Sequence, residues 1–371
     1  MALFSDEPAP SHPRPERRSL RERIGWGAIT VATVIAILFA LMPSPYVIEQ
    51  PGPVYDTLGV AENGDGDEVP LIEIPDETTY PTDGELNLLT VSVVGRPGAT
   101  PNWLEVLGAW FDRTKSVVPA EAIFPPGVTN EQRDEQNQAA MVDSQQDAIA
   151  AALVELGYEF PREVTVVTLL DESPADGVIE EGDVIVSLDG TEVNSVAELQ
   201  RAVREHGSDD PASIVLVRDG VEQTVEVTPV DRNGTAVLGV GVRMEYEFPV
   251  DVELQLDNVG GPSAGMMFAL GIVDKLTPGA MTGGEIVAGT GTIDSAGAVG
   301  AIGGIRQKLW GALDADAEWF LAPESNCDEV VDHVPDGLTV FAVKTLDEAR
   351  TVVEDVADGE VTGSYATCEA G

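Results

Sequence analysis

From Ile24 to Met42 the chain runs nineteen residues without a charge, IGWGAITVATVIAILFALM. As a helix rising about 1.5 Å per residue, that is roughly 28 Å, close to the depth of a bilayer's hydrocarbon core. Trp26 stands near one end and Tyr46 just past the other, where interfacial aromatics gather. Arg14, Arg17, Arg18, Arg21 and Arg23 precede the run and no basic residue follows closely, which puts the N-terminus inside. A buried helix, or the apolar core of a cleaved signal peptide, passes the same first test. The run is long for a signal peptide, however, and MPSPYVIEQPGP behind it has no clear A-x-A site. The reading is an uncleaved anchor in the cell membrane: a basic cytoplasmic tail (1–23), a single-pass transmembrane helix (24–43), and everything else extracytoplasmic.

The charge follows that division. Of 371 residues, 65 are acidic and 20 basic, a net charge of -45. The tail 1–23 sets five arginines against four acids, so the whole excess of negative charge lies beyond the span. Such a chain is a poor nucleic-acid binder, because phosphate contacts need clustered Lys and Arg. Two cysteines, Cys327 and Cys368, make neither a disulfide framework nor a zinc finger. Outside the cytoplasm they are free to pair, and equally free to remain thiols. With only three scattered histidines, no metal or cofactor is expected.

Residues 44–83 are rich in Pro, Gly and acids and read as a linker or irregular lead-in. In an extracytoplasmic segment 84–160, LNLLTVSVV (86–94) reads as a strand, 120–138 as an exposed loop, and about 142–156 as a helix. Residues 163–230 form a small β-rich module: S-P-A-D-G (173–177), G-D-x-I (182–185), a strand ending Asp189-Gly190, a helix capped by Ser195, and a hairpin at Asp219-Gly220. That order resembles a bacterial PDZ domain. The resemblance implies a groove that takes an extended peptide as an added strand, with Gly157-Tyr158-Glu159-Phe160 as a candidate carboxylate-binding loop. Residues 235–356 alternate strands and helices, and 357–371 is a tail. The overall expectation is α+β.

The chain has only four lysines. One, Lys308, falls with Ile305, Leu309 and Ala312 on the apolar face of a helix. A desolvated amine loses affinity for its proton and becomes a competent base. In DNVGGPSAGMMFALGIV, Ser263 stands at a helix start among Gly261, Pro262 and Ala264, where backbone N–H groups can hold an oxyanion. Alone, Ser263 reads equally as an N-cap and Lys308 as a surface lysine. Together they suggest a Ser-Lys pair.

G-G-P-S-A-G (260–265), M-T-G-G-E-I (281–286), G-A-V-G-A-I-G-G-I-R-Q-K (297–308) and F-L-A-P-E-S-N (320–326) occur in the order found in the proteolytic domain of Lon proteases. The resemblance covers about 235–350. It implies Ser263 as nucleophile, Lys308 as general base and Thr282 as a hydrogen-bonding support for the lysine. With the anchor and the PDZ module, the chain resembles the YlbL-type membrane-bound Lon-like proteases. There is no G-x-x-x-x-G-K-[ST], so the ATPase module of Lon is missing from the sequence. Asp257 is the nearest acid before the nucleophile, where Lon proteins place one directly before G-P-S. The fold needs more strands than 235–262 offers, and 84–156 is the candidate source. These features imply an ATP-independent serine endopeptidase with polypeptide substrates, as a homo-oligomer. The alternative is an inactive, membrane-tethered PDZ adaptor.

Overall fold

The computed structural model describes residues 20–62, 66–256, 259–361 and 365–368. Most of the basic tail and Asp257 therefore lie outside the described residues. Helix α1 (Leu20–Leu41) carries the apolar run, and none of that run is buried. Strand β1 (Tyr46–Asp56) follows within five residues. This corrects the expectation that 44–83 is irregular. The Pro51-Gly52-Pro53 interruption sits at a bulge in the pairing with β2 (Glu85–Val94), where prolines are tolerated. A Cβ on Gly52 would meet Thr90 Oγ1 at 2.3 Å, so only glycine lets the strands cross there.

Helix α2 (Trp103–Trp110) and strand β3 (Ser116–Pro119) complete this segment. Helix α3 spans Asn130–Glu155, much longer than the helix expected over 142–156. Its first half is polar and carries no apolar period, but a Thr129/Gln132 capping box starts it. The stretch 120–138 is thus largely helical rather than an open loop.

Strands β4 (Arg162–Leu169) and β5 (Val184–Leu188), helix α4 (Val196–His206), and strands β6 (Ala212–Arg218), β7 (Val221–Val227) and β8 (Val240–Tyr246) make an antiparallel sheet in the order β7-β6-β5-β4-β8. Its own core includes Val164, Ile179, Ile185, Leu199, Ile214 and Leu238. Asp183 of the G-D motif is 1% exposed and accepts Arg218 Nε and Nη2, both at 2.7 Å, so that motif is structural. Residues 240–246, assigned from sequence to the following α/β unit, belong to this sheet, and 235–237 pairs with 230–232 beside it. A strand declares its sheet only by its partner, and β8 pairs with β4 along its length.

The last segment runs helix α5 (Gly265–Leu276), strand β9 (Ile286–Gly289), helix α6 (Ile305–Asp314), strand β10 (Trp319–Pro323), strand β11 (Thr339–Val343) and helix α7 (Leu346–Ala357). Its strands join those of the N-terminal segment in one six-stranded sheet, β11-β10-β9-β2-β1-β3. The pairs from β11 to β2 are parallel, and those from β2 to β3 antiparallel. Side chains alternate across it. Leu88, Val287 and Leu321 face a core with α3, α5 and α7, while Leu89, Ala288 and Phe320 face α6. Helix α5 is buried on every side, which its nearly unbroken apolar sequence requires.

Candidate active site

Two elements from opposite sides of the sheet meet at its middle. Ser263 lies in the turn before α5, and Lys308 in the first turn of α6. Lys308 Nζ donates to Ser263 Oγ at 2.8 Å and to Thr290 Oγ1 at 2.8 Å. Thr290 Oγ1 in turn donates to the carbonyl of Ser263 at 3.0 Å. Lys308 is 2% exposed. Burial alone pulls its pKa down to about 7, since no carboxylate contributes.

Ser263 is not the helix N-cap. Ala264 occupies that position, without a side-chain cap, and the serine hydroxyl is turned to the lysine instead. Gly261 has φ +93, a conformation favouring glycine, and its N–H donates to Asn137 O at 3.0 Å. The carbonyl of Pro262 accepts Ser144 Oγ at 2.9 Å. Helix α3 therefore grips the Ser263 turn at two points. A Cβ on Gly265 would meet Ser144 Oγ at 2.8 Å, so glycine permits that close packing. Among the described residues the N–H groups of Ser263 and Ala264 donate to no acceptor.

Thr282 is not beside the lysine. Its hydroxyl donates to the carbonyl of Asp83, and it pins the turn before β9 to the start of β2. Thr290 holds the lysine in its place. The sequence signal was G-T-G-T (289–292), a hydroxyl between glycines just past a parallel strand, where open α/β sheets commonly place ligands. Asn326 of the F-L-A-P-E-S-N motif accepts Ile302 N and donates to Ile302 O, both at 2.9 Å, bracing the loop before α6.

A cleft of about 520 Å³ opens over the pair, walled by Thr90, Val91 and Ser92 of β2 and by the 260–264 turn. A wider depression along α3 shares Met141, Val259 and Gly260 with it but reaches neither Ser263 nor Lys308. Strand β9 pairs with β2 only as far as Leu88, and beyond it the cleft-side edge of β2 has no strand partner among the described residues. No three His, Cys, Asp or Glu side chains among the described residues gather as around a metal.

The second concavity lies between α4 and β8. Leu199, Gln200 and Val203 face Leu238, Val240 and Val242 across it. At one end are Leu238 and Gly239, both buried, whose N–H groups have no acceptor among the described residues. Gly157-Tyr158-Glu159-Phe160 is elsewhere. Tyr158 and Phe160 pack on the core of the α3/α5 side, and the Phe160 ring meets Tyr246 and Phe248. The loop at the groove is Val237-Leu238-Gly239-Val240.

Fold and site define a mixed α+β chain of two units: a PDZ domain, and an α/β domain with a serine beside a buried lysine. Residues 258–355 match the Lon protease (S16) C-terminal proteolytic domain, and 128–228 match the PDZ domain model. The chain is similar to Lon protease 1 of Bacillus subtilis, 31% identical over 35% of this chain and 17% of that one. It is also similar to Lon protease 2 of Herpetosiphon aurantiacus, 35% identical over 28% and 13%. It thus spans only 17% and 13% of the length of these two curated relatives. Among solved structures it is similar to the PDZ domain of the SdrC-like protein of Listeria monocytogenes, 25% identical over 21% of this chain and 85% of that one, with a TM-score of 0.20. The chain therefore carries a PDZ domain and a Lon-type proteolytic domain.

Proposed function

We propose that the chain is a membrane-anchored, ATP-independent serine endopeptidase working through a Ser263–Lys308 dyad. The contact of 2.8 Å between Nζ and Oγ, with the amine sealed from water, carries this reading. Neutral Lys308 takes the proton of Ser263 as Oγ bonds to the peptide carbonyl carbon. The N–H groups of Ser263 and Ala264 receive the oxyanion. The C–N bond then breaks, and the Lys308 ammonium returns its proton to the leaving amine. Water, deprotonated by the same lysine, hydrolyses the acyl ester and frees Ser263. A substrate in extended form would pair with the open edge of β2, which suits flexible or already unfolded chains. The PDZ groove would take a polypeptide end, its carboxylate on the N–H groups of Leu238 and Gly239, and present or gate substrate.

Helix α1 supports the anchor, because eighteen apolar residues with none buried are costly in water. Cleavage of an unfolded polypeptide without ATP tests the enzyme reading. Ser263→Ala and Lys308→Ala should each abolish it, and undiminished turnover by Ser263→Ala would remove the mechanism.

A further inference from the structure

Helix α2 is apolar on two sides, and only one of them is used by the protein. Val106 and Ala109 are buried. Leu104, Leu107, Trp110 and Phe111 are 43%, 47%, 58% and 84% exposed. Leu104, Leu107 and Phe111 follow at i, i+3 and i+7, a stripe along one side. The basic Arg113 comes two residues later and is exposed. A soluble surface has no use for such a stripe.

The helix is also fixed to the outer end of α1. Pro43 bridges to Asn102, Ser44 N donates to Pro101 O at 2.9 Å, and Thr100 Oγ1 donates to Ser44 O at 2.5 Å. The Trp103 ring meets Phe39 at 6.4 Å and Tyr46 at 5.9 Å, and Tyr46 also meets Trp110 at 6.5 Å. Asn102 and Glu105 form a capping box that sets the helix orientation.

We infer that α2 lies in the outer interface of the bilayer that α1 crosses, with Leu104, Leu107, Trp110 and Phe111 at the headgroup–acyl boundary. The inference rests on reading α1 as a membrane span. Its argument is continuity: the stripe begins where the span ends, and tryptophans with an adjacent arginine are the side chains that boundary favours. Val93 and Val94 at the end of β2 are exposed, Val94 opposite Ile48. Thr90–Ser92 of that strand wall the cleft. At about 3.3 Å per residue, the cleft wall at Val91 lies roughly 10 Å along the strand from Val94. Segments emerging from the membrane then become the favoured substrates.

The test uses the full chain in vesicles of phosphatidylcholine and phosphatidylglycerol. An environment-sensitive fluorophore is placed on Leu38→Cys, Leu107→Cys, Phe111→Cys and, as an aqueous control, Val221→Cys at the PDZ hairpin. Probes at 107 and 111 should be several-fold brighter than at 221 and quenched best by a nitroxide near the headgroups. The probe at 38 should be quenched best by a deep acyl-chain nitroxide. If 38 is quenched while 107 and 111 behave like 221, the docking is overturned and the span stands. If 38 is not quenched, the span reading falls and takes the docking with it. If 107 and 111 escape lipid quenching but crosslink between copies, the stripe is a protein interface and the docking is overturned. A Leu107→Glu/Phe111→Glu chain should cleave a soluble peptide normally and a vesicle-anchored peptide several-fold more slowly. Equal loss on both would contradict the inference.

Discussion

Lys308 loses its hydration on folding and gains two hydroxyl partners but no carboxylate, so its ammonium form is the less favoured one inside the protein. The sign follows for the proposed reaction. Below about pH 7 the amine holds a proton and has no lone pair for Ser263, so kcat/KM should fall by about tenfold per pH unit there and level off above. A profile flat from pH 5 to pH 9, measured on a peptide substrate, would contradict that role. Lys308→Arg should be inactive at every pH, because a guanidinium does not surrender its proton. Thr290 and Thr282 separate cleanly. Thr290→Val removes a partner of the amine and of the Ser263 carbonyl, and should lower kcat by about tenfold or more, with Thr290→Ser restoring it. Thr282→Val should cost about 1–3 kcal/mol of stability and leave the pH limb in place. Lysine on an apolar helix face and serine at a helix start are patterns of one segment each, so both could be read from the sequence. For Thr290 the G-T-G-T string marks only a hydroxyl past a strand, because its place beside the amine depends on where β9 ends relative to α6.

Helix α3 joins the two units of the chain. One turn above Ser144, which holds Pro262, its Asp147 accepts the Tyr246 hydroxyl at 2.5 Å at the end of β8, the groove strand. Burial raises the Asp147 carboxyl to about 6, against the lowering effect of that hydrogen bond. A raised carboxyl pKa means the folded state binds the extra proton between about pH 4 and pH 6, so this group's contribution to stability declines as pH rises through that window. Asp147→Asn should therefore be more stable than the parent at neutral pH and flatten the dependence below it, as thermal unfolding at several pH values would reveal. Ser144→Ala should lower kcat several-fold while leaving the pH limb unmoved, the mark of a positioning residue. These contacts explain what could be read at this scale. Helices α5, α6 and α7 and strands β10 and β11 carry their own periodicity, and α7 its Thr345 cap. Strand β1 was hidden by Pro51 and Pro53, the first half of α3 by the lack of an apolar face, and the membership of β8 by a partner 71 to 84 residues away.

At the scale of the whole chain, the covalent pattern and the proposed topology make one joint prediction. Cys327 and Cys368 are paired, across 41 residues of sequence. The bond draws the C-terminal segment against the β11 edge of the sheet. There Ala342 N donates to Ala366 O at 2.8 Å and the Tyr365 ring meets Phe341. That cover removes part of an open strand edge, a surface that invites association with other chains. Such a bond persists outside the reducing cytoplasm, the side on which the proposed topology puts the domains. Protein taken from cells with thiols blocked at lysis should carry no alkylation at either cysteine until it is reduced. Cys327→Ser should lose about 2–4 kcal/mol of stability while keeping its initial turnover. Rapid alkylation of both thiols in unreduced protein would place the protease domain on the cytoplasmic side and reverse the topology, even with Ser263 and Lys308 fully active.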